Sequence, residues 1–255
     1  SELLDEVVVV GYGVQKKKLV TGATVQVKGE DIAKLNTVDA LGALQSQSPG
    51  VNITQNNGFL GSGFKVNIRG IGTTGTFSPL YVVDGVANGS IDGLNPSDIE
   101  SLDVLKDAAS ASIYGAQAAN GVIIVTTKKG TKGPMKVNVS VKETLEWSPK
   151  FDLMNAAEYI KYNDIAYKEA IKDGIASITT TQKHSEYDTN WQDEVLKTAL
   201  VQDYNVSLSG GGDSGSYFVS AGYYNNDGVS YGNTFDRYSF RVNTQGKKGW
   251  FSFGE

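Results

Sequence analysis

The chain has 255 residues, 20% of them charged, and a net charge of −5. That balance offers no basic face for nucleic acid, and the absence of cysteine removes disulfide frameworks, thiolate metal sites and thiol nucleophiles. The single histidine, His184, leaves no His–His metal pair and little basis for a histidine triad.

No apolar run approaches the ~18 residues of a membrane-crossing helix; the longest β-branched runs are Val7–Val10 and Val122–Val125. A transmembrane barrel stays open, because alternating strands leave almost no hydropathy signal. No basic segment followed by an apolar stretch marks a leader, so Ser1 is expected to be a processed end or a truncation.

Residues 1–23 combine Asp5-Glu6, four valines, Gly11-Tyr12-Gly13 and Lys16-Lys17-Lys18. Branching at Cβ favours extended backbone, so this segment reads as an extended arm too short to hold a core. Residues 24–133 alternate short strands and short helices, an α+β domain. Strands are expected at Thr24–Lys28, Val51–Gln55, Lys65–Ile68, Leu80–Val83, Ile99–Leu105 and Gly121–Lys128, bounded by Gly, Asn or Pro. Helices are expected from a Thr37 cap to Leu44, where Pro49-Gly50 follows, and over Ala108–Ala119. Loops rich in Gly, Asn, Ser and Thr lie at Gln55–Gly63, Ile71–Ser78 and Ala87–Gly93.

Residues 134–255 change character. Val137, Val139 and Val141 share one face of a strand, and a helix spans Asn155–Asp173 before Gly174. Tyr204, Val206 and Leu208 alternate with polar residues, as do Tyr217, Val219, Ala221 and Tyr223, and then Tyr238, Phe240 and Val242. Gly210-Gly211-Gly212-Asp213 and Asn226-Asp227-Gly228 supply the hairpin turns. Two architectures fit: a soluble β-sandwich, and the antiparallel strands of a transmembrane β-barrel. About five such strands fall short of the roughly eight that closure needs. The chain also stops in the aromatic strand Trp250-Phe251-Ser252-Phe253, so it is expected to be the front of a longer protein.

Motifs for chemistry are weak. Val7–Gly13 mimics a strand and G-x-G turn, but Lys16 stands where a dinucleotide fingerprint needs its third glycine. Pairing of the valine strand with another protein's sheet edge explains it better. His184 lies in a polar loop, Asp98 and Glu100 are expected to cap or form surface salt bridges, and Gly210–Gly212 has no phosphate-binding helix after it. No catalytic residue, cofactor or metal ligand is assigned.

Several blocks together resemble SusC/RagA-type TonB-dependent outer-membrane transporters. The arm Leu4–Gly13 is similar to their TonB-box region. Ser48-Pro49-Gly50-Val51, Val66–Gly70, Leu80–Val86, Asn95–Ser101 and Val104–Ile123 are similar to their plug domain. Thr189–Val195 and Ser209–Gly211 resemble the start of the barrel, which in this class has about 22 strands. Gln117 replaces a more usual arginine, which puts a plug-to-barrel ion pair in question.

The resemblance implies a TonB-box arm (1–23), a plug domain (24–133) and the first strands of the β-barrel with a helical loop insertion (134–255). It implies active import of an oligosaccharide or peptide across the outer membrane, with TonB, a SusD-like lipoprotein and membrane lipid as partners, and a dimer of transporter–lipoprotein pairs. Asp5, Glu6, Val7, Val8, Val9 and Val10 would pair with TonB. Asn56, Asn57, Phe59, Thr73, Thr74, Phe77, Asn88 and Ser90 would face the ligand. Two rivals remain from the residues themselves: a soluble adhesion module using strand exchange, and a glycan hydrolase with a carboxylate pair.

Overall fold

A computed structural model describes residues 7–10, 13–16, 24–34, 39–45, 48–68, 70, 78–88, 91, 93–106, 112–175 and 187–254. At its start β1 (Val7–Val10) pairs antiparallel with β2 (Gly13–Lys16), so the valine strand is one arm of a hairpin. Asp5 and Glu6 lie outside the described residues.

The α+β domain is built on a mixed five-stranded sheet. Its members are β3 (Thr24–Lys28), β6 (Leu80–Val83), β7 (Val86–Asn88), β8 (Ile99–Leu105) and β9 (Val122–Thr127), in the order β3-β8-β9-β6-β7. Only β6 and β9 run parallel. A separate hairpin joins β4 (Val51–Gln55) and β5 (Phe64–Ile68).

Alternation along β9 divides the core. Ile123 and Val125 turn to α1 (Gly29–Lys34), α2 (Ala40–Leu44) and the β4–β5 hairpin, where Ile32, Leu41, Leu44, Ile53 and Val66 are buried. Val122 and Ile124 turn the other way, onto Val82, Leu105 and Ala118. Each fully buried side chain of this size contributes roughly 1.5–3 kcal/mol. The two faces therefore explain why so glycine-rich a segment still closes a core.

Two helix boundaries differ from expectation. The N-cap of α2 is Asp39, whose carboxylate accepts from the Leu41 N–H at 2.9 Å; Thr37 lies outside the described residues. The helix expected over Ala108–Ala119 is instead, where described, a 3₁₀ segment from Ser112 to Ala118 broken at Gly115. That glycine sits at φ 69°, ψ −156°, which no α-helix accommodates.

Four long strands and a short one form a second sheet, antiparallel and in chain order: β10 (Gly133–Glu146), β11 (Ala199–Gly211), β12 (Gly215–Asn226), β13 (Phe235–Lys248) and the short β14 (Phe251–Gly254). One face is apolar and uncovered: Tyr238 is 79% and Phe240 75% exposed, with Val137, Val139, Val141, Val206 and Val242 also exposed. The β-sandwich expectation fails here, since a sandwich would bury that face. The opposite face, with Arg237, Ser239 and Arg241 half-buried, meets the α+β domain.

Residues 145–200 and 227–233 form a compact unit of their own. In it α3 (Ala156–Lys172) is started by a reciprocal capping box between Asn155 and Glu158 and is followed by Gly174 at φ 67°. The short α4 (Trp191–Val195) is held by Gln192, which exchanges two 2.8 Å hydrogen bonds with the Phe151 backbone.

Candidate functional site

The most elaborate polar constellation lies where the α+β domain meets β11–β13. Its first component is a tight hairpin. Asp84 and Gly85 join β6 to β7 with φ of 48° and 88°, the left-handed pair that a two-residue loop requires. From this turn Asp84 reaches β9, accepting from the Thr127 N–H at 3.0 Å and the Thr127 hydroxyl at 2.6 Å. The second component is the 3₁₀ turn Pro96–Asp98, capped by Asn95, which accepts from the Ser97 N–H at 3.0 Å.

Arg241 of β13 gathers these parts. Its guanidinium donates to Thr127 Oγ1 at 3.3 Å and lies 3.7 Å from Asp84 and 3.9 Å from Asp98. Asp98 is 4% exposed, so the expected surface position is corrected: it is a buried partner, while Glu100 is the exposed one. Burial pushes the Asp98 carboxyl above its ordinary range, and Arg241 pulls against that rise. Arg241 thus supplies an ion pair between the long-stranded sheet and the α+β domain that does not involve Gln117.

A neutral cluster lies beside it. Asn95 Nδ2 donates to Asn205 Oδ1 at 2.5 Å and to Ser239 Oγ at 3.0 Å, and Asn205 Nδ2 donates to Asp203 at 2.5 Å. Gly222 makes the approach possible, since a Cβ there would lie 2.4–2.6 Å from Asn95, Asn205 and Ser239. Further along, Lys142 of β10 donates to the Ala33 carbonyl at 2.7 Å, at the C-terminal end of α1 where a cation is favoured, and lies 3.6 Å from Asp203. Together these contacts fasten the domain to four adjacent strands, β10 to β13.

A cavity of about 620 Å³ opens between the 60–64 loop and the start of β13, lined among others by Asp39, Gln55, Phe64, Phe235 and Arg237. Gly61 lies so close to the Phe235 ring that a Cβ would be 2.3 Å from it. Of the expected ligand-facing residues, Asn56 and Asn57 shape this loop: Asn56 donates to the Ser62 carbonyl and Asn57 accepts from the Phe59 N–H, each at 2.9 Å. Phe59 is exposed. Asn88 ends β7, opposite Tyr81. Thr73, Thr74, Phe77, Ser90 and His184 lie outside the described residues.

Sequence reading missed Asp84, Asn95, Gly222 and Arg241 as a group. One signal was available: Arg237 and Arg241 sit on the polar face of a strand whose other face is Tyr238, Phe240 and Val242, and half-buried cations require partners.

Residues 16–122 match the TonB-dependent Receptor Plug Domain family. The chain is 36% identical over 256 residues to TonB-dependent receptor SusC of Bacteroides thetaiotaomicron, covering 95% of this chain and 24% of that protein. It is 37% identical over 244 residues to TonB-dependent receptor P3 of Formosa agariphila, covering 94% and 23%. The solved structure of the RagAB peptide importer in its open-open state superposes with a TM-score of 0.82 at 29% identity, over 98% of this chain and 31% of that one. The chain spans about a quarter of the length of these curated relatives.

Proposed function

Because the chain belongs to the SusC-like TonB-dependent receptors, which are outer-membrane proteins, we propose that it contributes the arm, plug and first barrel strands of an active importer. The cargo is an oligosaccharide or a peptide, taken up without chemical change and delivered with a SusD-like surface lipoprotein. The peptide alternative draws on the RagAB importer, and the lipoprotein on the same likeness.

The observation that carries this reading is the fastening of a plug-like sheet to the polar face of strands whose other face suits lipid. Tyr204, Tyr223 and Tyr238 stand in register across β11–β13, with ring centroids 6.2 and 5.0 Å apart. Their row marks a change to polar surroundings: Tyr204 donates to Glu143 at 2.7 Å and Tyr223 to Asp236 at 3.3 Å. At the other end of β13 come Trp250, Phe251 and Phe253, all exposed. About ten residues separate the two girdles, ~34 Å of strand, which tilted by ~40° covers roughly 25 Å, the height of a barrel's apolar band.

Barrels of this kind keep short turns in the periplasm and long loops outside. Residues 212–214 and 249–250 are the short connections, and 147–198 and 227–234 the long ones. The cavity beside Phe235 then belongs to the outer mouth, where Asn56, Asn57 and Phe59 would meet cargo. The arm with Val7–Val10 would be the strand that TonB grips, along with Asp5 and Glu6.

Deleting residues 5–10 tests the reading. Uptake of the cargo by cells is expected to stop while binding by the extracted protein is retained; continued uptake would sink the proposal.

A further inference from the structure

The valine strand is not single. β1 is hydrogen-bonded to β2 in the register Val7↔Lys16, Val8↔Gln15, Val9↔Val14 and Val10↔Gly13, and among the described residues no strand occupies the other edge of β1. We propose that TonB reads the two strands together, adding its own strand to the open edge of β1, so that Gly13–Lys16 is part of the docking element. The inference rests on β1 being the strand that TonB grips.

Backbone geometry decides which groups are offered. Two residues separate the strands, and the pair closing such a hairpin exchanges both its hydrogen bonds. Val10 and Val8 therefore spend their N–H and C=O groups on Gly13 and Gln15. Val9 and Val7, the alternate positions, direct theirs at the open edge. An incoming strand finds a ladder whose register is already set.

Addition is favoured over exchange. If TonB displaced β2, the hydrogen bonds gained on β1 would replace those lost, with little net return. Joining on the open edge retains the first ladder and forms a second. A two-stranded hairpin alone is marginal in water, and a third strand brings such a sheet toward independent stability. The same coupling acts on affinity, because a β1 already extended by β2 loses less conformational freedom when TonB arrives. In sequence, opposite charges flank the two strands, Asp5-Glu6 before β1 and Lys17-Lys18 after β2, which favours keeping them together.

The test titrates the purified periplasmic domain of TonB against the detergent-extracted transporter, in the unaltered protein and in two variants that leave β1 untouched. Gln15→Pro removes an N–H that faces Val8 and opens the hairpin; binding is expected to weaken about tenfold. Val14→Pro removes an N–H that faces away from β1, a position where an edge strand tolerates proline; binding is expected to stay within about twofold. Unchanged or tighter binding by Gln15→Pro overturns the proposal, as it would show a lone strand or a competing β2. Equal losses in both variants overturn it as well, since register would then be irrelevant. Failure of the unaltered protein to bind overturns the reading of β1 as the gripped strand, and the inference with it.

Discussion

Arg241 compensates two carboxylates at once, and its loss is a different event from the loss of a surface ion pair. Arg241→Ala leaves Asp84 and Asp98 facing each other's charge in a half-buried seam. A cost of about 2–4 kcal/mol is expected, read as a lowered denaturant midpoint of the extracted protein. The pH dependence follows from Asp98. Burial raises its carboxyl in the folded protein, whereas in the unfolded chain it titrates in the ordinary range. Between those two values the folded state binds more protons, so this group's contribution to stability grows as pH falls through the raised value and is complete below the ordinary one. The unaltered protein should gain that increment on acidification and Asp98→Asn should not, so their stability difference should vary with pH over that window and nowhere else. Gly222→Ala drives a methyl group into Asn95, Asn205 and Ser239 and should cost about 1–3 kcal/mol, with no change in charge to confuse the result.

Among the elements, β13 shows how one strand serves two solvents. Its odd residues supply Arg237, Ser239 and Arg241 to the seam, and its even residues supply Tyr238, Phe240 and Val242 to the opposite face. Phe240→Arg in a reconstituted bilayer should destabilise the sheet by about 2–4 kcal/mol, and the penalty should shrink for the same change nearer the strand ends. This strand was legible in the sequence because its period of two is unbroken from Arg237 to Asn243. The strands β3, β4, β6, β8 and β9 were legible for a similar reason, β-branched runs bounded by turn residues. α1 was not, because six residues with one buried isoleucine carry no helical period. The Ala108–Ala119 expectation followed the helix preference of alanine past Gly115, whose positive φ suits glycine and not an α-helix. β2 went unread because four residues, glycine first and lysine last, show no strand pattern until a partner strand fixes their direction.

At the level of the whole molecule, the architecture is legible in the sequence resemblance and the seam is not. Its parts are far apart in the chain: Arg241 and Thr127 are separated by 114 residues, Asn95 and Ser239 by 144. No local pattern encodes a contact over such a span, and each residue alone has an ordinary explanation. The loops expected to face cargo illustrate the converse. Asn56 and Asn57 have the right composition for recognition, yet both are engaged in shaping their own loop, which leaves Phe59 as the side chain free to reach outward.

The separation along the chain also orders events in time. Synthesis runs from the N-terminus, so the five-stranded domain and its two apolar clusters are complete before β13 exists. Until then Asn95 and Asp98 lack their partners on the long strands, and among the described residues only Thr127 of β9 holds the Asp84 carboxylate. Arrival of Arg241 and Asn205 supplies those partners. The polar seam is therefore open surface before β13 is made and a fastening afterwards, and the burial that raises the Asp98 carboxyl comes only with that closure.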